Sequence, residues 1–184
     1  MEKNMTEKEF KDVMAECRTL FDKKLHDYGA SWRVWRLSTV TDQIYIKANR
    51  IRTLETTGVA MIHEGIRPEF IGIINYCIVA MIQIENGYSE VLDMTAQEVM
   101  MFYDKHAQKA LALMLKKNHD YNEAWRSMYI SSYTDFILGR VLRVKEILSN
   151  DGKTAVSEGL DSQFMDMMNY SVFGAIKLSE QDAG

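Results

Sequence analysis

Proline and cysteine are nearly absent from this sequence. One proline, two cysteines and ten glycines occur among 184 residues. Because proline and glycine interrupt helices, their scarcity favours a protein that is helical throughout. Cys17 and Cys77 each lie in an apolar helical stretch, without the spacing of a zinc site or of a disulfide framework. We therefore expect two reduced core thiols and a cytoplasmic protein.

Segments for secretion or membrane insertion are missing as well, and so is an excess of positive charge. The amino terminus is rich in glutamate and lysine, and no apolar run reaches the length of a membrane span. The formal net charge is -4 and the pI is near 5.6, which argues against a general nucleic-acid-binding surface. We expect a soluble protein that has neither nucleic acid nor membrane as a partner. The sequence leaves the oligomeric state open, and a homo-oligomer is compatible with it.

What the sequence does contain is an internal duplication. Residues 23–54 align with residues 116–147 without a gap, and 12 of the 32 pairs are identical, where about two are expected by chance. After a slip of one residue, the match resumes in a second, shorter segment. We predict two helical repeats packed as one globular body, because a three-helix unit alone would expose apolar surface. The predicted repeats span residues 1–88 and 89–184.

Each repeat is predicted to contain three helices. Capping boxes at Thr6-x-x-Glu9 and Thr95-x-x-Glu98 predict where the first helices start, and from these starts the second copy is about one helical turn longer. The third helices are apolar on almost every face, which places them at the centre of a bundle. The predicted fold class is therefore all-α, a helical bundle built from a tandem duplication of a roughly three-helix unit. The second helices, the third helices and the loops between them are predicted at residues 40–55 and 133–148, 69–86 and 163–179, and 56–68 and 149–162.

A His-Asp-Tyr triplet ends the first helix of both repeats, at residues 26–28 and 119–121. In a structural interpretation the tyrosine covers the core and the histidine complements the helix dipole. In a functional interpretation the aspartate binds a metal or orients water, and the histidine carries a proton or contacts phosphate. The lysine pairs just before the triplets, at residues 23–24 and 116–117, are either solvated helix ends or phosphate contacts.

A Trp-Arg pair follows each triplet, at residues 32–33 and 125–126. One interpretation is that the tryptophan anchors a turn to the bundle. The other is that it offers a stacking surface to a base, with the arginine beside it for phosphate.

The second helices keep the sign of charge at four places in both repeats. Lys47 and Arg50 are three residues apart and share a helix face, as do Arg140 and Arg143. Two fixed cations on one face suit a polyphosphate, and arginine offers a bidentate fork. A solvated helix face explains the cations equally well. The matched residues are Asp42 and Asp135, Lys47 and Arg140, Arg50 and Arg143, and Arg52 and Lys145.

The third helices each contain an asparagine, Asn75 or Asn169, among apolar residues. A buried amide is expected to be hydrogen-bonded, either to hold helix register or to reach into a site. Asp166 lies three residues before Asn169, whereas the matching residue in the first repeat is Gly72; Glu69, one turn earlier, is the candidate that compensates for it. Because paired carboxylates on facing helices can hold Mg²⁺, we expect the better equipped site in the second repeat.

These motifs together resemble the nucleotide-modification-associated domain 1 family. The motifs are Lys-x-x-Asp-Tyr followed by Trp, an Asp and Lys/Arg-x-x-Arg on the second helix, and Asp/Gly-x-x-Asn-Tyr on the third. The resemblance covers nearly the whole chain, once per repeat. Such domains are in turn similar to all-α MazG-like pyrophosphatases, which hold Mg²⁺ with carboxylates on bundle helices and cut nucleotides between the α and β phosphates. The Glu-x-x-Glu and Glu-x-x-Asp pairs of that group are replaced here by single carboxylates.

The resemblance implies a nucleotide-binding protein of nucleotide metabolism or modification, whose expected partner is a nucleotide or another phosphorylated small molecule. The enzymatic form of this hypothesis is a Mg²⁺-dependent nucleoside triphosphate pyrophosphohydrolase. The alternatives are a non-catalytic nucleotide sensor and a helical interaction or scaffold protein. The catalytic candidates are His119 and Asp120, and the metal-binding candidates are Asp120, Asp135 and Asp166. The nucleotide-binding candidates are Lys47, Arg50, Tyr121, Trp125, Arg126, Arg140, Arg143 and Asn169.

Overall fold

The computed structural model describes residues 2–58, 65–155 and 159–184, and these residues form six α-helices without any strand. The predicted all-α fold, a bundle made by tandem duplication, is therefore confirmed. Short 3-10 turns at Ser31–Val34 and Ala124–Ser127 join the first helix of each repeat to the second. The loops predicted at 56–68 and 149–162 fall partly outside the described residues. The helices are α1 Glu2–Tyr28, α2 Leu37–Thr57, α3 Arg67–Asn86, α4 Ala96–Tyr121, α5 Ile130–Ser149 and α6 Leu160–Ala183.

The duplication of the sequence is repeated in the packing of the helices. α3 packs against α6 at the centre, α2 packs against α5, and α1 packs against α4, so that each helix meets its own counterpart. In addition, α1 contacts α6 and α3 contacts α4. This arrangement is that of a pseudo-twofold bundle, and it buries the apolar third helices as the sequence predicts.

α3 is the most apolar helix of the chain. By length and composition alone it could cross a membrane, which corrects the expectation that no apolar run is long enough. Most of α3 is buried inside the bundle, however, against α2 and α6. Its apolar side chains therefore have protein partners, as in the core of a helical bundle.

The first helix of each repeat starts at almost the same position of the repeat. At α4 the predicted capping box is confirmed, because the Thr95 hydroxyl accepts from the Glu98 amide and the Glu98 carboxylate accepts from the Thr95 amide. At α1 the predicted box is wrong, since the helix begins at Glu2 and Thr6 lies fully buried inside it. The extra turn expected for α4 is consequently absent.

Each 3-10 turn is held against the third helix of its own repeat by one polar side chain. The Gln83 amide donates to the carbonyl oxygens of Trp32 at 3.0 Å and Trp35 at 2.7 Å. At the matching place in α6, the Lys177 ammonium donates to the carbonyl oxygens of Arg126 and Met128. Both turns are thereby fixed in position beside the cavities described below.

α2 and α5 are joined by two reciprocal ion pairs. Asp42 contacts Lys145 at 3.3 Å, and Arg52 contacts Asp135 at 2.7 Å. The four residues occupy matched positions of the duplication, so one contact is the symmetry mate of the other. All four are about half exposed, and each pair therefore adds no more than about 1 kcal/mol to stability. Their repeated charge reflects the contact between the repeats.

Candidate functional site

Two cavities occupy matching places, one in each repeat. The first cavity has a volume of about 500 Å³ and the second of about 410 Å³, within the range of small-molecule sites, roughly 300–1,000 Å³. Each cavity lies between the end of the first helix, the 3-10 turn, and the second and third helices. The first cavity is lined by Lys24, Tyr28, Trp32, Lys47, Glu69 and Asn75. The second cavity is lined by Lys117, Tyr121, Trp125, Arg140, Asp166 and Asn169.

Asp166 is the charged centre of the second cavity. Its side chain is only 5% exposed, and its carboxylate contacts Lys117 at 2.6 Å and Arg140 at 3.0 Å. Arg140 also donates to the side-chain oxygen of Gln163 at 2.9 Å. A buried carboxylate requires such partners because desolvation of the lone charge is costly. Both cations that line this cavity are thus engaged by one carboxylate.

Glu69 provides the carboxylate of the first cavity. It contacts Arg50 at 2.6 Å and Lys47 at a longer 3.4 Å. Glu69 lies one turn before Gly72, the residue that matches Asp166, so it does compensate for the missing aspartate. The expectation that only the second repeat is well equipped is therefore wrong, since each cavity contains one buried carboxylate paired with cations.

Gly72 creates space for Lys47 in the first cavity. A side-chain carbon added at Gly72 would lie 2.6 Å from Cε of Lys47, far closer than two carbon atoms can approach. The lysine stem passes over the place where Asp166 has its side chain in the second repeat. Lys24, the counterpart of Lys117, consequently has no ion-pair partner within the described ranges. The cations of the first cavity are less neutralised than those of the second.

The third-helix asparagines lie at the inner ends of the cavities. Asn75 donates to the Cys17 carbonyl at 3.1 Å and accepts from the Tyr103 hydroxyl at 2.8 Å. Both hydrogen-bonding groups of this amide are satisfied, as predicted. Asn75 therefore connects α3 to α1 and α4 and acts in the framework of the bundle.

Asn169 differs from Asn75 in one hydrogen bond. It donates to the Ala110 carbonyl at 3.2 Å, which matches the bond of Asn75, but its oxygen has no partner among the described residues. The residue that corresponds to Tyr103 is Phe10, which has no hydroxyl group. The prediction that both amides are hydrogen-bonded is therefore confirmed for Asn75. For Asn169 it is confirmed only for the NH₂ group.

Trp125 anchors its turn, and its ring is not open to a base. It is 4% exposed, Phe173 stacks on it with ring centroids 4.6 Å apart, and the Arg126 guanidinium lies 4.3 Å from its centroid. Of the two sequence interpretations, the structure supports the anchoring one. Tyr121, in contrast, is largely exposed at the rim of the second cavity.

Further accessible aromatic rings belong to residues that were not among the binding candidates from the sequence. Trp35 and Tyr76 stack with centroids 6.1 Å apart in the first cavity, and the Lys47 ammonium lies 5.9 Å from the Tyr76 ring. Tyr170 is the counterpart of Tyr76 in the second cavity. The Asn-Tyr pair repeated in both third helices was the available signal for these tyrosines.

Arg126 is a structural residue rather than a phosphate contact. Its guanidinium contacts Glu9 at 2.6 Å and Glu123 at 3.0 Å, and it donates to the Thr6 hydroxyl at 2.9 Å. Burial alone would raise the pKa of Glu123, but hydrogen bonds from Thr6, Asn118 and Arg126 outweigh it and lower the pKa. The Thr6 and Glu9 pattern therefore serves this network between the repeats instead of a helix cap.

Arg33 has the corresponding role in the first repeat. Its side chain is 2% exposed and contacts Asp93 at 2.9 Å, just before α4 begins. Each Trp-Arg arginine thus joins its own turn to the beginning of the first helix of the other repeat. This reciprocal contact explains why the arginine occurs in both copies.

The catalytic candidates His119 and Asp120 lie outside the second cavity. They are 69% and 76% exposed and contact each other at 3.1 Å. The last turns of α4 direct Lys117, Asn118 and Tyr121 into the cavity. Helical periodicity turns the two candidates, which lie between Asn118 and Tyr121, toward solvent. The catalytic assignment is not supported by this placement.

The three metal-binding candidates do not come together. Asp120 is exposed beside His119, Asp135 is engaged by Arg52 on the surface, and Asp166 is held by two cations. No group of three or more histidine, cysteine or acidic side chains in the described parts of the chain could hold a metal ion. Mg²⁺ is usually bound by one or two carboxylates together with waters and substrate phosphates. Since the three candidates lie apart and two of them are paired with cations, the described residues do not form a preassembled Mg²⁺ site.

Only one member of each predicted cationic pair on the second helices lines a cavity. Arg140 lines the second cavity, whereas Arg143 is exposed and is not part of its wall. In the first repeat Lys47 lines the cavity and Arg50 acts on it through Glu69. One cation per second helix therefore faces each cavity directly.

The family comparison agrees with the division of the chain into two equivalent repeats. The model of nucleotide modification associated domain 1 matches residues 24–84 and 117–178. Each match begins at a cavity lysine, Lys24 or Lys117, and extends into the third helix, so it contains most of the lining of one cavity. No curated protein and no solved structure matches the chain, and similarity to the MazG-like pyrophosphatases is not shown. Because the two matches together cover more than half of the sequence, the chain belongs to the nucleotide modification associated domain 1 family and carries two tandem copies of that domain.

Proposed function

We propose that this protein binds nucleotides or closely related phosphorylated small molecules, and that it acts in nucleotide metabolism or modification. One observation carries the proposal: both repeats keep a cavity that combines cationic side chains with aromatic and apolar walls. A nucleotide has the complementary parts, an anionic phosphate and a planar base. The family description, which names nucleotide modification, points in the same direction.

The cavity walls supply the interactions that these two parts of a nucleotide require. Lysine and arginine form charge-assisted hydrogen bonds with phosphate oxygens. Trp35 and Tyr76 in the first cavity and Tyr170 in the second are half-buried rings that a base can contact. The cavity volumes of about 500 and 410 Å³ accommodate a ligand of nucleotide size.

The proposal is for binding, in the form of a non-catalytic sensor, and it includes no hydrolytic step. Pyrophosphohydrolysis in the MazG-like manner depends on Mg²⁺ held by several carboxylates, and the cavities contain one carboxylate each. We also propose a cytoplasmic location, because Cys17 and Cys77 are buried free thiols. Burial raises the pKa of Cys17 to about 12, which makes it an unreactive core residue.

A binding assay tests the proposal. We expect deoxynucleoside mono- and triphosphates to raise the melting temperature and to give saturable heats in titration calorimetry. The double variant Lys47→Ala/Arg140→Ala should weaken binding by about tenfold or more, because each cavity loses a charge-assisted contact. Arg143→Ala is the matched control and should leave the Kd unchanged, because this arginine is exposed outside the cavity.

Two results would contradict the proposal. If no nucleotide in the panel raises the melting temperature or gives a binding heat, the cavities do not serve nucleotides, and the interaction or scaffold alternative is favoured. If pyrophosphate is released in the presence of Mg²⁺, and Lys47→Ala/Arg140→Ala abolishes this release, the sensor form of the proposal is wrong.

A further inference from the structure

We infer that the two cavities take different classes of ligand: the first binds the phosphate-bearing form of a nucleotide, and the second binds an uncharged aromatic ligand such as a nucleoside. This inference rests on the proposed function and assigns a ligand class to each of its two sites. The observation behind it is the position of one carboxylate on the third helix, at Glu69 in the first repeat and at Asp166 in the second.

The first cavity contains cationic groups with unused hydrogen-bonding capacity. Lys24 lines the cavity and has no ion-pair partner in the portion of the chain that the structure describes. Lys47 meets Glu69 at 3.4 Å, a long contact that leaves most of its donor capacity unused. Arg50 takes the other carboxylate oxygen at 2.6 Å. Lys24 and Lys47, the two cations that line the cavity, therefore keep donor groups that a phosphate can use.

The second cavity lacks this excess of available charge. Lys117 and Arg140 both contact Asp166, at 2.6 and 3.0 Å, and the residue that matches Glu69 is the neutral Gln163. A phosphate that entered here would have to compete with a buried carboxylate for both cations and would lie close to its negative charge. Separating a buried ion pair is costly, so this cavity disfavours an anion.

The walls of the second cavity instead favour a neutral ring. Met114, Met128, Tyr133, Tyr170 and Phe173 contribute apolar and aromatic surface. Apolar walls with a few polar groups are typical of sites for uncharged aromatic ligands.

Gly72 determines the difference between the cavities. Because Gly72 has no side-chain carbon, the Lys47 side chain can pass close to its backbone. A Cβ at position 72 would lie only 2.6 Å from Cε of Lys47. An aspartate here, as at the matching position 166, would displace Lys47 and place a carboxylate near Lys24. One residue therefore decides whether the cavity lysine is available to a ligand.

Matched lysine variants test the inference in the full chain. We would measure the affinity of a deoxynucleoside 5′-monophosphate and of the same deoxynucleoside by titration calorimetry for the native protein, Lys24→Ala and Lys117→Ala. Lys24→Ala should weaken monophosphate binding by about tenfold or more and leave nucleoside binding unchanged, because it removes a first-cavity cation that has no ion-pair partner among the described residues. Lys117→Ala should leave the monophosphate Kd within about twofold of the native value. The native protein should bind one monophosphate per chain.

Exchange of the third-helix residues provides a second test. Asp166→Gly releases Lys117 and Arg140 and should raise the monophosphate stoichiometry from one to two per chain. Gly72→Asp should abolish monophosphate binding at the first cavity. Because the new aspartate is crowded, Lys24→Glu serves as a second variant with the same expected loss, since this side chain is exposed and its replacement does not disturb packing. Inorganic phosphate should compete with the monophosphate and not with the nucleoside.

The outcomes separate this inference from the proposed function. If the native protein binds neither the monophosphate nor the nucleoside, both are wrong. If it binds the monophosphate at two equal sites, or if Lys117→Ala causes the greater loss, the proposed function stands and the division between cavities is overturned. Competition of inorganic phosphate with the nucleoside would overturn it as well.

Discussion

The two repeats of this protein use the same framework but distribute charge differently within it. In the first repeat the third-helix carboxylate belongs to Glu69, and in the second it lies one turn later, at Asp166. This shift leaves Lys24 without a carboxylate partner among the residues that the structure describes and gives Lys117 one at 2.6 Å. A displacement of one turn, rather than the loss of a charged residue, is therefore what distinguishes the cavities.

The repeats also differ in how well they satisfy their buried polar groups. The oxygen of Asn75 accepts from Tyr103, a residue of the other repeat, while that of Asn169 has no partner among the described residues. The reason is the exchange of tyrosine for phenylalanine at position 10. Contacts between the repeats, and not only contacts within each repeat, thus set the differences between them.

The largest expected effect concerns the Trp-Arg arginines. Arg33→Ala should lower the free energy of unfolding by about 2–5 kcal/mol, because it leaves the side-chain oxygen of buried Gln83 and the Gly87 carbonyl without their donor. Arg126→Ala should cost less, since its side chain is 25% exposed. Urea denaturation measures both. The control is Arg18→Ala, which breaks an exposed pair with Asp104 and should cost less than about 1 kcal/mol. A smaller loss for Arg33→Ala than for the control would contradict a structural role of Arg33.

The next effect concerns the hydroxyl that satisfies Asn75. Tyr103→Phe should lower the free energy of unfolding by about 1–2 kcal/mol, because it leaves the partly buried side-chain oxygen of Asn75 without its donor. This substitution makes the first repeat resemble the second at this contact. Denaturant titration measures the change, and Tyr129→Phe, at an exposed tyrosine, is the control without an expected effect. Equal stabilities of the two variants would show that the bond to Asn75 adds nothing.

The reverse change is expected to stabilise the protein. Phe10→Tyr should bring a hydroxyl to the Asn169 oxygen, which has no partner in the described part of the chain, and raise the free energy of unfolding by about 1 kcal/mol. The native Tyr103 shows that the matching place accommodates a hydroxyl group. The double variant Phe10→Tyr/Asn169→Ala tests the mechanism, because without the acceptor the added hydroxyl should no longer stabilise. A gain that persists in the double variant would refute the proposed bond.

The smallest effect is confined to acidic solution. The pKa of Glu123 is lowered in the folded protein from its ordinary value of 4.5, so its ionised form stabilises the fold above that pH. This contribution is lost as the pH falls through the lowered pKa. Glu123→Gln should therefore flatten the decline of stability between neutral and acidic pH, as followed by thermal unfolding. The first repeat has Ala30 at the matching position and offers no equivalent. If the pH profile of the variant is unchanged, Glu123 does not contribute to the loss of stability in acid.

Much of the fold could be predicted from the sequence, because it depends on patterns within short segments. Helical periodicity, the scarcity of proline and the capping box at Thr95 are local signals, and they indicated helices that the structure confirms. The capping box predicted at Thr6 and Glu9 was wrong, although these residues have the same local pattern. Both side chains contact Arg126 instead, a residue that comes close to them only after folding. The candidate site was predicted less well for the same reason.

The sequence by itself determined the all-α class, the duplication, the central position of the third helices and the family. It also indicated cavity residues such as Lys47, Arg140 and Asp166, since matched polar positions in apolar helices are few. Only the tertiary structure decided that Asp135 pairs with Arg52 and that Asp166 neutralises both cations beside it. The physical reason is that an ion pair depends on distances of a few ångströms between helices far apart in the chain, which local periodicity does not specify.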